Sequence, residues 1–270
     1  METFDTNIEN ELRLYSTSKI EDLKPEKIAF VIDLYEEVKN EDFLSINGDT
    51  KLSRLEVIIN EILNFSKLKD YFSNGTEYGL YTYTQGLKKE IPFCQISNFL
   101  QKLNEFKLSA ATLNLISGDS PFDLADIFNE AYSFMTSILS LESFAKNNKE
   151  NDNLIRFILF YNRSDIPATL SNTTDYNLLT FTRNLRFFFD VIFLRRKKQN
   201  EEDRKKLTIT YSSFAQTRPN FWYIFENSGN LQQFKFYMNL LLANPSQRVM
   251  LHNVEKYRKK IANLINNFSE

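Results

Sequence analysis

The sequence is poor in the residues on which most metal, redox and nucleotide sites depend. Its 270 residues include one cysteine, Cys94, so no internal disulfide can form, and Cys94 is expected to be an inert thiol. They include one histidine, His252, which is too few for the two-histidine zinc site of a metalloprotease. None of the six glycines lies in a glycine-rich phosphate-binding motif. These shortages exclude disulfide-stabilised folds, histidine-based zinc proteases and the common nucleotide-binding loops.

The sequence also lacks an excess of charge of either sign and a long apolar segment. The 33 basic and 35 acidic residues give a net charge of −2, which argues against nucleic acid or an anionic membrane as a partner. There is no apolar span of about 18 residues and no charged-then-apolar amino-terminal segment. We therefore expect neither secretion nor membrane insertion, and a cytoplasmic or nuclear protein.

Apolar and aromatic residues are plentiful and occur in runs. Hydrophobic residues make up 42% of the chain and aromatic residues 14%, which suffices for a packed core. Residues 28–33 form an apolar run that ends in Asp33. Such a run, without polar alternation, is typical of a central parallel strand, and open α/β sheets place ligands at the carboxyl ends of such strands. Similar runs predict two more central strands, at residues 154–161 and 185–194.

Segments of other composition alternate with these runs. β-Forming residues predict further strands at 77–83, 87–91 and 221–225. Helices are predicted, mainly from apolar residues at three- and four-residue steps, at 52–63, 92–106, 124–138, 175–183 and 231–241. Asp49 or Thr50 is expected to cap the first helix, and Ser120, followed by Pro121, the third. This order predicts an α/β, doubly wound domain with a mostly parallel central sheet flanked by helices.

Composition divides the chain into three parts. Residues 1–24 are polar and form an expected leader, and residues 25–248 contain the α/β domain. Residues 249–270 carry apolar residues at helical spacing among lysines, which predicts a carboxyl-terminal amphipathic helix. Such a helix either packs on its own domain or lies in the groove of a partner.

The segment Asp33-Leu34-Tyr35-Glu36-Glu37 after the first strand gives the layout a family resemblance. It resembles a von Willebrand factor A domain, in which this strand ends in D-x-S-x-S. In that family the aspartate and two serines, with a threonine and a second aspartate from later loops, hold a divalent cation. The resemblance assigns five positions of this chain to that degenerate site: Asp33, Tyr35, Glu37, Ser120, and Asp165 or the adjacent Ser164.

The departures from that motif argue against metal binding. Tyr35 and Glu37 replace the two serines, and a tyrosine is bulky where a hard cation needs small oxygen ligands. We therefore expect no metal, no cofactor and no catalytic residue. Two alternatives remain: a metal-dependent ligand-binding module that uses Asp33, Ser120 and Asp165, and a hydrolase that uses Asp33, Glu36 and Glu37. Three acids at a strand end are more often solvated or capping than a tuned acid/base pair.

A closer resemblance covers residues 27–248. It is carried by short strings of sequence: Asp33-Leu34-Tyr35-Glu36-Glu37 after Glu26-Lys27-Ile28, Phe122-Asp123-Leu124, Ile155-Arg156-Phe157-Ile158-Leu159-Phe160-Tyr161-Asn162-Arg163, Phe187-Phe188-Phe189-Asp190-Val191, and Leu241-Leu242-Ala243-Asn244-Pro245-Ser246-Gln247-Arg248. These strings are similar to the family of the MERIT forty-kilodalton subunit. That family is the degenerate von Willebrand A-like scaffold of the BRISC complex and of its nuclear sister, the BRCA-one A complex.

This second resemblance implies a function and a set of partners. It implies a non-catalytic scaffold of a deubiquitinase complex that cleaves K-sixty-three-linked polyubiquitin, in the cytoplasm and the nucleus, with a link to DNA repair. The expected partner is the tandem ubiquitin-E2-variant-like scaffold subunit. The residues expected to contact it lie at the end of the chain: Pro245, Arg248, Leu251, Val254, Ile261 and Leu264.

Overall fold

The computed structural model describes eight ranges of the chain: residues 25–45, 47–73, 75–144, 154–164, 166–170, 187–196, 201–216 and 223–245. Four predictions lie outside these ranges and stay predictions. They concern the leader at 1–24, the helix at 175–183, the position of Asp165, and the carboxyl-terminal helix at 249–270.

A six-stranded sheet forms the centre of the molecule. Its strands are β1 (Glu26–Asp33), β4 (Glu77–Tyr83), β5 (Leu87–Cys94), β7 (Leu154–Tyr161), β9 (Phe187–Leu194) and β10 (Ile224–Asn227). They lie in the order β10-β9-β7-β1-β4-β5, and all neighbours are parallel except β4 and β5. The structure therefore confirms the predicted doubly wound, mostly parallel sheet.

Short strands pair outside this sheet. They are β2 (Phe43–Leu44) with β3 (Lys51–Leu52), which are antiparallel, and β6 (Phe122–Asp123) with β8 (Ala168–Thr169), which are parallel.

Within the described ranges, five α-helices flank the sheet: α1 (Arg54–Phe72), α2 (Ile96–Ser109), α3 (Leu124–Phe144), α4 (Glu201–Gln216) and α5 (Leu231–Leu240). Helices α1, α2 and α5 cover one face of the sheet, and α3 and α4 cover the other. No helix within the described ranges is both long enough and apolar enough to cross a bilayer.

Strand β1 lies at the middle of both cores. Ile28, Phe30 and Ile32 point into the core beneath α1, α2 and α5. Ala29 and Val31 point into the core beneath α3 and α4. Because both faces are covered, the strand carries apolar residues without alternation, and residues 28–33 are completely buried.

The predicted caps of two helices are wrong. Helix α1 is capped by Ser53, whose side chain accepts the N–H of Glu56 while the Glu56 carboxylate accepts the N–H of Ser53. The expected caps, Asp49 and Thr50, precede β3, whose extended backbone delays the helix. Helix α3 is likewise delayed by β6: Asp123, and not Ser120, accepts a helix N–H, from Ala125 at 2.9 Å.

Two strands end later than predicted. Strand β5 runs through Pro92 to Cys94, whereas a helix was expected to begin at Pro92. Proline is tolerated there because β5 is the edge strand among the described residues, where one side of the strand has no ladder partner. Strand β10 begins at Ile224, three residues after the predicted start at 221, and ends at Asn227, two residues after the predicted end at 225.

Candidate functional site

The sheet topology brings the end of β1 beside the end of β7. The chain leaves β1 for β4 on one side and later returns to β7 on the other, which creates the switch point where open α/β sheets bind ligands. In register, Asp33 lies beside Tyr83 of β4, and Ile32 lies beside Phe160 of β7. Asp33 therefore faces the residues that follow β7.

Asp33 is completely buried and is paired with Arg163. Arg163 Nη2 donates to Oδ1 of Asp33 at 2.9 Å, and Nε donates to Oδ1 and Oδ2 at 3.0 and 3.1 Å. The main-chain N–H of Asn162 donates to Oδ2 at 3.2 Å. Burial raises the pKa of the Asp33 carboxyl, and the charge and hydrogen bonds of Arg163 oppose that rise.

The guanidinium of Arg163 is itself completely buried and lies among three aromatic rings. Its carbon is 5.1, 5.3 and 5.6 Å from the ring centroids of Phe122, Tyr35 and Tyr83. Its remaining N–H groups reach two main-chain carbonyls: Nη1 donates to that of Ser120, and Nη2 to that of Thr84 at 3.3 Å. Arg163 thereby joins four separate segments of the chain.

Glu37 is a second buried acid at the same edge. Its carboxylate accepts the hydroxyl of Ser164 at 2.6 Å and the N–H of Ser164 at 3.3 Å. Two arginines pair with it at 3.1 Å, Arg54 through Nη1 and Arg196 through Nη2. Burial raises the pKa of Glu37, and these hydrogen bonds and charges oppose the rise.

Arg54 extends this network toward β9. Its Nε donates to Asp42 at 2.7 Å and its Nη1 donates to the carbonyl of Leu194 at 3.0 Å. We call the connected set the Asp33 cluster, with the members Asp33, Glu37, Asp42, Arg54, Asn162, Arg163, Ser164 and Arg196.

The predicted site residues have different places in this cluster. Asp33 and Glu37 lie in it, and the buried Tyr35 covers Arg163 and donates its hydroxyl to the carbonyl of Gly118 at 3.2 Å. Ser120 contributes its carbonyl, whereas a hydroxyl ligand was considered. Of the expected partner-binding residues, Pro245 is buried, and the others lie outside the described ranges.

Sequence reasoning missed the arginines of the cluster. The signal was present, because Asn162-Arg163-Ser164 directly follows a buried strand and polar side chains at such an end are expected to meet those of β1. Arg54 gave no comparable signal, since an arginine at the start of a helix is normally exposed.

The residues present do not fit a divalent cation at this edge. Both oxygens of Asp33 already accept N–H groups from Arg163, and a metal ion placed there would face a guanidinium of the same charge sign. Across the described ranges, no three of the usual His, Cys, Asp or Glu ligands come together in a way that would hold a metal ion.

A second buried ionic group, the Glu26 cluster, lies nearer the start of β1. Its members are Glu26, Lys69, Arg156, Asp190 and Asn244. Arg156 Nε pairs with Asp190 at 2.8 Å, and Asn244 Nδ2 donates to Glu26 at 3.1 Å. Lys69 pairs with Glu26.

The end of α5 is tied to the Glu26 cluster through main-chain groups. Arg156 Nη1 donates to the carbonyl of Leu241 at 2.6 Å, and Lys69 Nζ donates to that of Leu242 at 3.0 Å. The segment that precedes residues 246–270 is therefore fixed to β7 and α1.

Comparisons with known proteins show the fold. No family model matches the sequence, and no curated protein matches it. The TFIIH p34 N-terminal domain superposes with a TM-score of 0.51 at 14% identity, covering 80% of this chain and 97% of that one. The PilB minor pilin from Streptococcus sanguinis gives 0.52 at 10% identity, covering 86% and 63%. The SpRpn10 VWA domain gives 0.44 at 13% identity, covering 84% and 99%. Such identities speak for architecture alone, and the two superpositions with TM-scores above 0.5 agree with the α/β fold, a mostly parallel central sheet flanked by helices, that the sequence predicted.

Proposed function

We propose that this chain is a non-catalytic scaffold of a BRISC-type deubiquitinase complex that cleaves K-sixty-three-linked polyubiquitin. In this role it binds and stabilises the tandem ubiquitin-E2-variant-like subunit, in cytoplasmic and nuclear assemblies. A von Willebrand A-like fold is consistent with a protein-interaction module, and the resemblance of residues 27–248 to the MERIT forty-kilodalton family supplies the specific assembly.

One observation carries the proposal: the strings behind that resemblance meet in space. Arg156 belongs to the string on β7, Asp190 to the string on β9, and Asn244 to the string after α5. All three lie in the Glu26 cluster, although Asn244 and Glu26 are 218 positions apart in sequence. The strings are therefore joined in the fold through Glu26 and Arg156, and this connection supports the proposal.

The state of the acids at the sheet edge supports a non-catalytic role. A general acid or base must reach a substrate proton, but Asp33 is enclosed with Arg163 and Glu37 is enclosed with Arg54 and Ser164. Glu36, the third acid of the hydrolase alternative, is exposed at the start of the short 3-10 helix Glu36–Lys39, in which the next residue, Glu37, is buried. The three carboxylates do not converge on one accessible point.

We place the partner contact at the end of the chain. The segment through Pro245 is fixed to the Glu26 cluster, so the following residues start from a defined point. The apolar stripe Leu251, Val254, Ile261 and Leu264, with Arg248 beside it, is proposed to lie in a groove of the E2-variant-like subunit, whereas Pro245 is buried within this domain and takes no part in the contact.

Co-expression with that subunit tests the proposal. The full chain is expected to co-purify with it, and a chain lacking residues 249–270 is expected to stay folded and soluble but to lose the partner. Leu108→Asp is the control, because Leu108 is 85% exposed on α2 and its change adds a charge elsewhere on the surface. This variant is expected to co-purify like the full chain.

Three results would contradict the proposal. Equal recovery of the partner by the full and shortened chains would remove the contact from residues 249–270. Insolubility of the shortened chain would show that the segment packs on its own domain. Isopeptidase activity in purified chain, freed of any metalloprotease and assayed on K-sixty-three-linked chains, would refute the non-catalytic role.

A further inference from the structure

The space beside the Asp33 carboxylate is where a cation would have to bind at this edge. Asp33 ends the central strand at the switch point of the sheet, and its two oxygens face the residues after β7. Arg163 fills that space and gives three N–H contacts of 2.9–3.1 Å to the carboxylate. Any ion that bound Asp33 would have to displace these donors.

The surroundings suit a guanidinium better than a metal ion. A hard cation takes six or more small oxygen ligands, whereas the side chains around Arg163 include the rings of Tyr35, Tyr83 and Phe122. Aromatic faces attract a flat, weakly hydrated guanidinium. The two carbonyls that complete the site lie where Nη1 and Nη2 point.

The charges at this edge are balanced by side chains of the chain itself. Arg163 compensates Asp33, while Arg54 and Arg196 compensate Glu37. Two buried carboxylates without such partners would attract a divalent ion. With the three arginines in place, no net negative charge remains in the Asp33 cluster.

We propose that the guanidinium of Arg163 replaces a divalent cation at the end of β1. It holds Asp33 together with the loops that contain Thr84 and Ser120, which is the structural work that a shared ion performs between loops. The carboxyl edge of the sheet is consequently preformed without metal, and an acidic group of a partner cannot complete a metal sphere there.

Metal titration of the wild-type chain is the first test. Calorimetry and thermal melting with Mg²⁺ and Mn²⁺ to millimolar concentration, and with EDTA, are expected to show no saturable binding and no change in Tm. Saturable Mn²⁺ binding that disappears in Asp33→Asn would overturn the proposal. Neither result depends on the partner, so the outcome is independent of the scaffold function.

A double-mutant cycle tests whether Arg163 acts as the compensating cation. Arg163→Met removes the charge but keeps a long side chain, and its Tm is expected to fall well below that of Arg163→Lys and of the wild type. Adding Asp33→Asn to Arg163→Met removes both charges and is expected to raise Tm above that of Arg163→Met.

The control for the cycle is Arg196→Met, since Arg196 is 48% exposed and its loss leaves Glu37 paired with Arg54. Its Tm is expected to stay close to that of the wild type. A wild-type Tm in Arg163→Met would overturn the proposal. The proposal would also be overturned if the double variant Asp33→Asn, Arg163→Met were no more stable than Arg163→Met alone, including the case in which neither protein folds.

Discussion

Glu36 and Glu37 are adjacent residues with opposite surroundings. Glu36 is exposed, whereas Glu37 is 1% exposed and accepts hydrogen bonds from Arg54 and Ser164. A glutamine at position 37 keeps the shape but removes the charge that these donors face. Glu37→Gln is therefore expected to lower the free energy of unfolding by about 1–3 kcal/mol.

Glu36→Gln is the matched control for that change. It makes the same substitution one position away at the surface, and we expect it to stay within about 0.5 kcal/mol of the wild type. Urea unfolding followed by circular dichroism measures both variants. Equal midpoints for the two would show that the contacts of Glu37 add nothing to stability.

The ionisation of the Tyr83 phenol is expected to make the free energy of unfolding depend on pH in the alkaline range. Burial raises its pKa from the ordinary value of 10.0 to about 12, and its hydroxyl donates to Asp126 at 2.9 Å. In the unfolded chain the phenol ionises near its ordinary pKa, so the folded state binds the extra proton. The stabilising contribution is complete below pH 10 and is lost as pH rises through about 12.

The unfolding free energy is therefore expected to fall above pH 10, by up to about 1.4 kcal/mol per pH unit for this one group. Urea titrations from pH 8 upward measure the slope, and Tyr83→Phe is expected to reduce it. Tyr71→Phe, a change at an 84% exposed tyrosine, is the control with equal loss of a phenol. Identical slopes for all three proteins would contradict the assignment.

Single residues were predicted from sequence only where their signal is local. Asp33 was found because it ends an apolar run. Its partner Arg163 lies 130 positions away, and nothing near Asp33 in sequence specifies which arginine reaches it. Ser164 and Glu37 are likewise 127 positions apart, and their contact depends on the pairing of β1 with β7.

At the scale of the element, the start of α3 allows two candidate helix caps, Asp123 and Ser120, to be compared. Asp123 Oδ1 accepts the N–H of Ala125 at 2.9 Å, whereas Ser120 meets the rest of the protein through its carbonyl. Asp123→Ala is expected to lower the free energy of unfolding by about 0.5–2 kcal/mol, the usual loss of a helix cap.

Ser120→Ala is expected to change stability by less than about 0.5 kcal/mol, because it keeps the carbonyl that Arg163 uses. Chemical unfolding compares the two variants at one pH. If Ser120→Ala lowered the free energy of unfolding more than Asp123→Ala, Ser120 would be the more important cap, as the sequence predicted.

The apolar pattern predicted which segments form helices and strands more accurately than it predicted where those elements begin and end. Strands β4 and β7 begin and end where the sequence placed them. The ends moved where tertiary pairing competed with local signals: β6 pairs with β8 and so keeps residues 122–123 extended, although Ser120-Pro121 resembles a helix start. Pro92 resembled a boundary but is accommodated in an edge strand.

On the scale of the whole molecule, β1 is held at both ends by buried ionic groups. The Asp33 cluster ties its carboxyl end to β7, α1 and the loops after β4, and the Glu26 cluster ties its amino end to β7, β9 and the end of α5. Breaking a buried ion pair by removing one partner costs about 3–5 kcal/mol. Removing one charged partner from either cluster is therefore expected to destabilise the attachment of β1 to its neighbours.

The contacts of the Glu26 cluster also indicate how far the chain must extend for the domain to be fully stable. A chain ending at Leu240 loses the carbonyls of Leu241 and Leu242 and the amide of Asn244, which satisfy Arg156, Lys69 and Glu26. We expect it to be less stable than the full chain by several kcal/mol, because buried N–H groups of Arg156 and Lys69 and a carboxylate oxygen of Glu26 each lose a hydrogen-bond partner, at about 1–3 kcal/mol each. A chain ending at Arg248 keeps all three contacts and is expected to unfold cooperatively within about 1 kcal/mol of the full chain. Urea midpoints of the three chains measure the difference, and equal midpoints for the two shortened chains would show that residues 241–245 do not complete the domain.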